Sequence, residues 1–191
     1  MGGLSDHRCS HINEEREPRI ALGVRCEFLF NLCMQGRAAE AAHRLREVQA
    51  LAEQLRQEVD LIHVSVIRGK IAAGTGRAEE AEEIFELARR KFASVKPPLV
   101  LDYALVSLDL GLLLLEQDRT SEVRILGEQM AWIFSSQGVR REALAALRIF
   151  CDAAKHDAAT MELTWRVIRF LHRSKHDPDV KFETTEEAEA P

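Results

Sequence analysis

Gly76-Arg77-Ala78-Glu79-Glu80-Ala81-Glu82-Glu83-Ile84-Phe85 joins a helix-ending glycine to the start of a new helix. A glycine supplies the left-handed backbone on which a helix commonly ends. Behind it a new helix starts, with Glu79 and Glu80 in its first turn, where the positive end of the helix dipole favours acids. Ala81, five positions past the glycine, is small enough to let the two helices of a hairpin approach closely. Ile84, Phe85, Leu87 and Ala88 then recur at helical spacing. The segment therefore reads as a tight turn between two antiparallel helices.

The same punctuation recurs along the chain. Gly36-Arg37, Gly76-Arg77, Asp118-Arg119 and Asp157-Ala158 have first residues 40, 42 and 39 positions apart. Each lies between two stretches of helical pattern. The segments that follow carry Glu40 and Ala41, Glu80 and Ala81, Glu122 and Val123, then Thr160 and Met161. Downstream apolar residues keep helical spacing: Leu45, Val48, Leu51 and Leu55; Val123, Leu126, Met130 and Ile133; Met161, Trp165, Ile168 and Leu171. Pro18 and Pro98 suit a first helical position, and Pro178 a helix end. No alternating apolar pattern suggests a strand. The expectation is an all-α chain of about four helical hairpins, in units near 18–56, 57–95, 98–136 and 139–175. Residues 1–17 are expected to be a flexible segment. Residues 176–191 are expected to be a disordered acidic tail, since they offer few apolar groups to offset ordering.

The 76–85 string resembles the inter-helix turn and second helix of a tetratricopeptide repeat. Gly69 and Gly111 fall where that motif wants a small residue in its first helix, while Leu29 and Phe150 hold that place in the other units. The motif's first-helix aromatic positions are Arg25 and Leu32, then Ser65 and Ala72, so the repeats are degenerate. A unit nearer 40 residues than the standard 34 is similar to the helical-repeat regions of bacterial regulators of the maltose-activator type. The resemblance covers roughly residues 18–175. It implies an α-solenoid with a right-handed superhelix, a bacterial origin and a protein-binding role.

Composition bounds the function classes. A net charge of −5 and a pI near 5.8 disfavour general attraction to nucleic acid. The most apolar run, Leu99 to Leu115, is interrupted by Asp102 and Asp109 and is shorter than the ~20 residues of a membrane span. The first residues lack the apolar stretch of a secretory signal, and Asp6 breaks the myristoylation pattern after Gly2. Cys9, Cys26, Cys33 and Cys151 show no paired spacing, which suits reduced thiols and a cytoplasmic location.

Candidate chemistry stays thin. His7, Cys9 and His11 superficially suggest a metal site, as do His172 and His176, four apart. Neither set has the four rigid ligands of structural zinc, so incidental clustering is the simpler reading. Cys26, Cys33 and Cys151 fall inside predicted helices, where cysteine acts as a small apolar residue. Gly69-Lys70 lies mid-helix and lacks the loop of a phosphate site. Arg166, Arg169 and Arg173 form a basic face on an amphipathic last helix, either touching an acidic partner, a membrane surface or nucleic acid, or simply facing water. No metal, cofactor or catalytic constellation is expected, and the chain is expected not to be an enzyme.

One site remains. In such a solenoid the first helices of successive hairpins line a concave groove. Its positions here are Cys26, Phe30 and Met34, with Gly23 and Cys33; Val66 and Lys70, with His63 and Ala73; Leu105, Leu108, Leu112 and Leu115; and Leu147, with Leu144, Cys151 and Lys155. The groove is apolar and centred on Leu108 and Leu112. A partner helix or peptide in it and a simple buried seam have the same sequence signature. The expected function is a protein-interaction module, scaffold or sensor, with a protein or peptide partner, no membrane and no direct nucleic-acid contact. Its rivals are the effector part of a transcriptional regulator lacking its own DNA-binding domain, and an enzyme with an unrecognised site. The N-terminal face at the apolar first hairpin, with Phe28, Leu29, Phe30 and Leu32, is expected to pack on another copy, a partner or further repeats.

Overall fold

The computed structural model of the chain describes residues 17–136, 141–177 and 179–182. They form eight helices: α1 (Pro18–Met34), α2 (Ala38–Leu55), α3 (Glu58–Gly74), α4 (Ala78–Ser94), α5 (Val100–Glu116), α6 (Thr120–Ser136), α7 (Arg141–Lys155) and α8 (Met161–His176). No strand occurs among the described residues.

The four turns expected from the sequence lie between α1 and α2, α3 and α4, α5 and α6, and α7 and α8. All four close alike. Gly36, Gly76, Asp118 and Asp157 adopt left-handed backbone with φ of 73, 78, 56 and 53°. The next residue's N–H then reaches back five positions, from Arg37 to Leu32 O, Arg77 to Ala72 O and Arg119 to Leu114 O, each at 2.9 Å, and from Ala158 to Ala153 O at 2.8 Å. That is the Schellman closure, which satisfies carbonyls the helix end would otherwise leave bare.

In three turns the arginine also pairs with the glutamate three residues on: Arg37 Nε to Glu40 Oε1 at 2.7 Å, Arg77 Nη1 to Glu80 Oε2 at 2.7 Å, and Arg119 Nε to Glu122 Oε1 at 2.6 Å. The arginine hydrogen bonds hold the Glu40 and Glu122 carboxyls below the usual range. The fourth turn lacks the arginine. There Thr160 caps α8, its Oγ1 accepting from the Leu163 N–H at 3.1 Å.

Pro18 opens α1 as expected. Pro98 does not open α5, which starts at Val100 behind an N-cap at Leu99. The proline instead belongs to the α4–α5 connection. Pro178 lies outside the described residues.

Two compact units divide the chain, Met1–Ile84 and Phe85–Pro191, with the division inside α4. In the first, α1, α2 and α3 each pack on the other two. Their shared core holds Leu22, Leu29, Leu32, Val48, Val64, Ile67 and Ile71, with Ala41 and Ala52 where helices come close. A side chain on Gly74 would meet Ala38 Cβ at 2.6 Å, so the end of α3 rides on the start of α2.

In the second unit α5 packs on α6, α6 on α7, α7 on α8, and α8 returns to α5. Lys175 Nζ holds Asp102 Oδ1 at 2.7 Å across that last seam. The four helices therefore close into a ring. Glycines set two of its contacts. A Cβ on Gly127 would stand 3.0 Å from Ala154 Cβ, and one on Gly111 would stand 3.4 Å from the Phe150 ring. Phe150, the aromatic that breaks the small-residue pattern in the fourth hairpin, thus fills the notch that the third leaves open.

Closure explains why α5 is apolar nearly all round. Every residue from Tyr103 to Leu114 is buried, including Ser107 and Asp109. Beside it Arg89 of α4 is only 5% exposed. Its guanidinium donates to Ser107 Oγ at 2.9 Å, Tyr103 OH at 3.0 Å, Gln129 Oε1 at 2.8 Å and Glu86 Oε1 at 2.8 Å. A buried charge persists only when paired and hydrogen-bonded in this way.

Candidate functional site

The structure brings together the predicted groove residues of α1 and α3. The two helices are neighbours within the first unit, and their contacts follow the repeat period. Lys70 Nζ lies 5.0 Å from the centroid of the Phe30 ring, joining positions 40 apart. Near the other end Arg19 Nε approaches Asp60 Oδ2 at 3.5 Å, joining positions 41 apart. The helices therefore run side by side, offset by about one repeat.

The resulting face is neither core nor open surface. Cys26, Phe30, Met34, Val66 and Lys70 are all half-buried, with Cys26 packed against the core that holds the buried Leu22, Leu29 and Leu32 of α1. Its chemistry is an apolar strip with one cation fixed over an aromatic ring, an arrangement favoured by the ring quadrupole. Burial pushes the Cys26 thiol up to about 11, and Asp60 and Glu27 push it the same way. It is a protonated, apolar part of the strip at neutral pH. Cys151 is pushed to about 12, again mainly by burial and then by Asp152. Reactive cysteines carry the opposite shift.

The groove residues of the second unit stand differently. Leu108 and Leu147 are 0% exposed, Leu105 7% and Leu112 6%. Cys151 is buried, Leu115 and Leu144 are half-buried, and Lys155 is exposed. The expected centre of the groove, Leu108 and Leu112, is therefore core in this structure. The physical reason is the return of α8 onto α5, which an open stack of hairpins does not contain. Leu105 and Leu147 are corrected in the same way.

His7, Cys9 and His11 lie outside the described residues, as does the side chain of His176, while His172 is half-buried. No group of three or more His, Cys, Asp or Glu placed to hold a metal ion occurs among the described residues. No described helix is long and apolar enough to cross a membrane.

Sequence reasoning missed three features. The pairing of Phe30 with Lys70 was readable only as two groove positions, although their 40-residue offset equals the repeat and could have predicted it. Exposed Ile125 and Trp132, at 50 and 74%, lie two turns apart on α6, where helical spacing suggested burial only for their neighbours. Phe182, assigned to a loose tail, instead packs its ring on Phe170. Residues 183–191 of that tail lie outside the described residues. No family model, no curated protein and no solved structure matches this chain.

Proposed function

We propose that the chain is a non-enzymatic protein-interaction module, built of tetratricopeptide-like helical hairpins, that takes a partner helix or peptide on the α1/α3 face. The observation that supports it most is the strip of Cys26, Phe30, Met34 and Val66, half-buried beside Lys70 over the Phe30 ring. A helix laid on such a strip buries apolar side chains at i, i+3 and i+4 spacing. An acid on that helix would meet Lys70, whose ammonium is already held in place. The thiols support a binding role over a nucleophilic one, because burial keeps Cys26 and Cys151 protonated. Among the described residues Cys26, Cys33 and Cys151 are not joined in disulfides, which also suits a reducing compartment.

The test is a helical peptide selected against the full chain from a displayed library, then measured against Phe30→Ala and Lys70→Glu. Both variants should fold, since neither side chain is fully buried, and each should weaken binding at least about tenfold if these are central contacts. Selected peptides that bind both variants as tightly as the parent would refute the assignment.

A further inference from the structure

The chain leaves α8 after His176, and by Phe182 it has turned back along that helix. The Phe182 ring stands edge-on to Phe170, with centroids 5.2 Å apart and an interplanar angle of 75°. Ring quadrupoles favour that geometry. Arg166 Cζ lies 5.6 Å from the centroid of the same ring. Arg166 and Phe170 are four residues apart, so they form one edge of α8. Phe170 is only 1% exposed, so the seat under Phe182 is an apolar ledge backed by the unit's core.

Charge is complementary across this contact. Arg166 is joined on the outward side of α8 by Arg169 and Arg173, both exposed. In the sequence the Phe182 anchor is preceded by Asp177, Asp179 and Lys181 and followed by Glu183, Glu186, Glu187 and Glu189. An aromatic anchor with acids on either side thus faces an apolar ledge edged with arginines.

We propose that this edge of α8 is a docking site for an aromatic residue with acids nearby in sequence, and that its occupant is Phe182 of the chain's own C-terminal segment. The tether favours this. A short linker holds its end at an effective concentration of order millimolar, so a contact of modest affinity between separate molecules stays largely formed within one chain. The site uses other residues than the α1/α3 face and stands or falls independently of it.

A synthetic peptide of residues 177–191, labelled at its N-terminus, tests this against two full-length chains. The wild type should take it up weakly, because its own segment competes. The Phe182→Ala chain should bind it at least about tenfold more tightly, as the competing anchor is gone. A peptide carrying the same substitution should bind neither chain. Salt should weaken the remaining complex, since the nearby acids act on exposed arginines. Full-length Phe182→Leu, which keeps an apolar anchor, should give intermediate binding and guards against misfolding of the alanine variant. Equal binding to wild type and Phe182→Ala would overturn the proposal, and so would no binding to a Phe182→Ala chain that melts like the wild type.

Discussion

Replacing Arg89 by methionine removes a buried guanidinium while keeping most of its volume, and the cost follows from what its four partners do next. Ser107 keeps its own hydrogen bond, since its hydroxyl donates to Tyr103 O at 2.7 Å. Gln129 is exposed, and Glu86 is 40% exposed as a side chain, so water can replace the arginine at both. Only the Tyr103 hydroxyl, on a residue 5% exposed, is left with a lost partner in a dry place. An orphaned buried polar group costs about 1–3 kcal/mol. Part of this is offset because no charge need be desolvated in the variant. The net loss is then about 1–2 kcal/mol, or roughly 2–8 °C in melting temperature for a chain of this size. Trp132 and Trp165, the two tryptophans of the chain, both lie in the unit Phe85–Pro191, so denaturant unfolding followed by tryptophan fluorescence reads the affected unit. Tyr103→Phe in the Arg89→Met background should recover most of the loss, giving a coupling of about 1 kcal/mol in the double-mutant cycle. Strictly additive effects would refute the reasoning, because the cost would then not reside in the Tyr103 hydroxyl.

Leu108→Ala should destabilise the second unit by about 3–5 kcal/mol, the range for a fully buried leucine, read by the same fluorescence transition. Leu112→Glu should abolish that transition at neutral pH by placing a carboxylate in the ring of helices; a variant that melts like the parent would mean the site is accessible. Asp118→Gly and Asp157→Gly should each stabilise by about 0.5–1 kcal/mol, because both aspartates sit at positive φ, where a β-carbon is strained. Cys26, with its thiol pushed by burial from an ordinary 9.0 up to about 11, should be alkylated at pH 8 about a hundredfold more slowly in the native chain than when unfolded. The sign for stability follows: the unfolded thiol ionises first, so this contribution is intact below pH 9 and is lost as pH rises from 9 towards 11. A Cys26→Ala chain should show a shallower decline over that interval.

The hairpins were legible in the sequence because their turns are local. Gly36 and Gly76 announce the left-handed closure, and the arginine–glutamate spacing repeats behind three of the four turns. Asp118 and Asp157 tolerate the same backbone, which is why the pattern survives the loss of glycine. The closing of the second unit was not legible. Its determinants are long-range, namely Lys175 meeting Asp102 and Phe150 entering the notch beside Gly111. An α5 apolar nearly all round signals burial on every side without naming what supplies it. The same ambiguity moved the expected site. Groove and core share one helical stripe, so Leu108 and Phe30 looked alike although one is buried and the other half-buried.

Hydrogen exchange of the full chain with and without a saturating selected peptide tests the interaction face most directly. Binding on the α1/α3 face should slow amide exchange along residues 23–34 and 63–74, while α5 stays unchanged because Leu108 and Leu112 offer no free surface. Protection confined to other helices, with α1 and α3 exchanging as in the free chain, would contradict it.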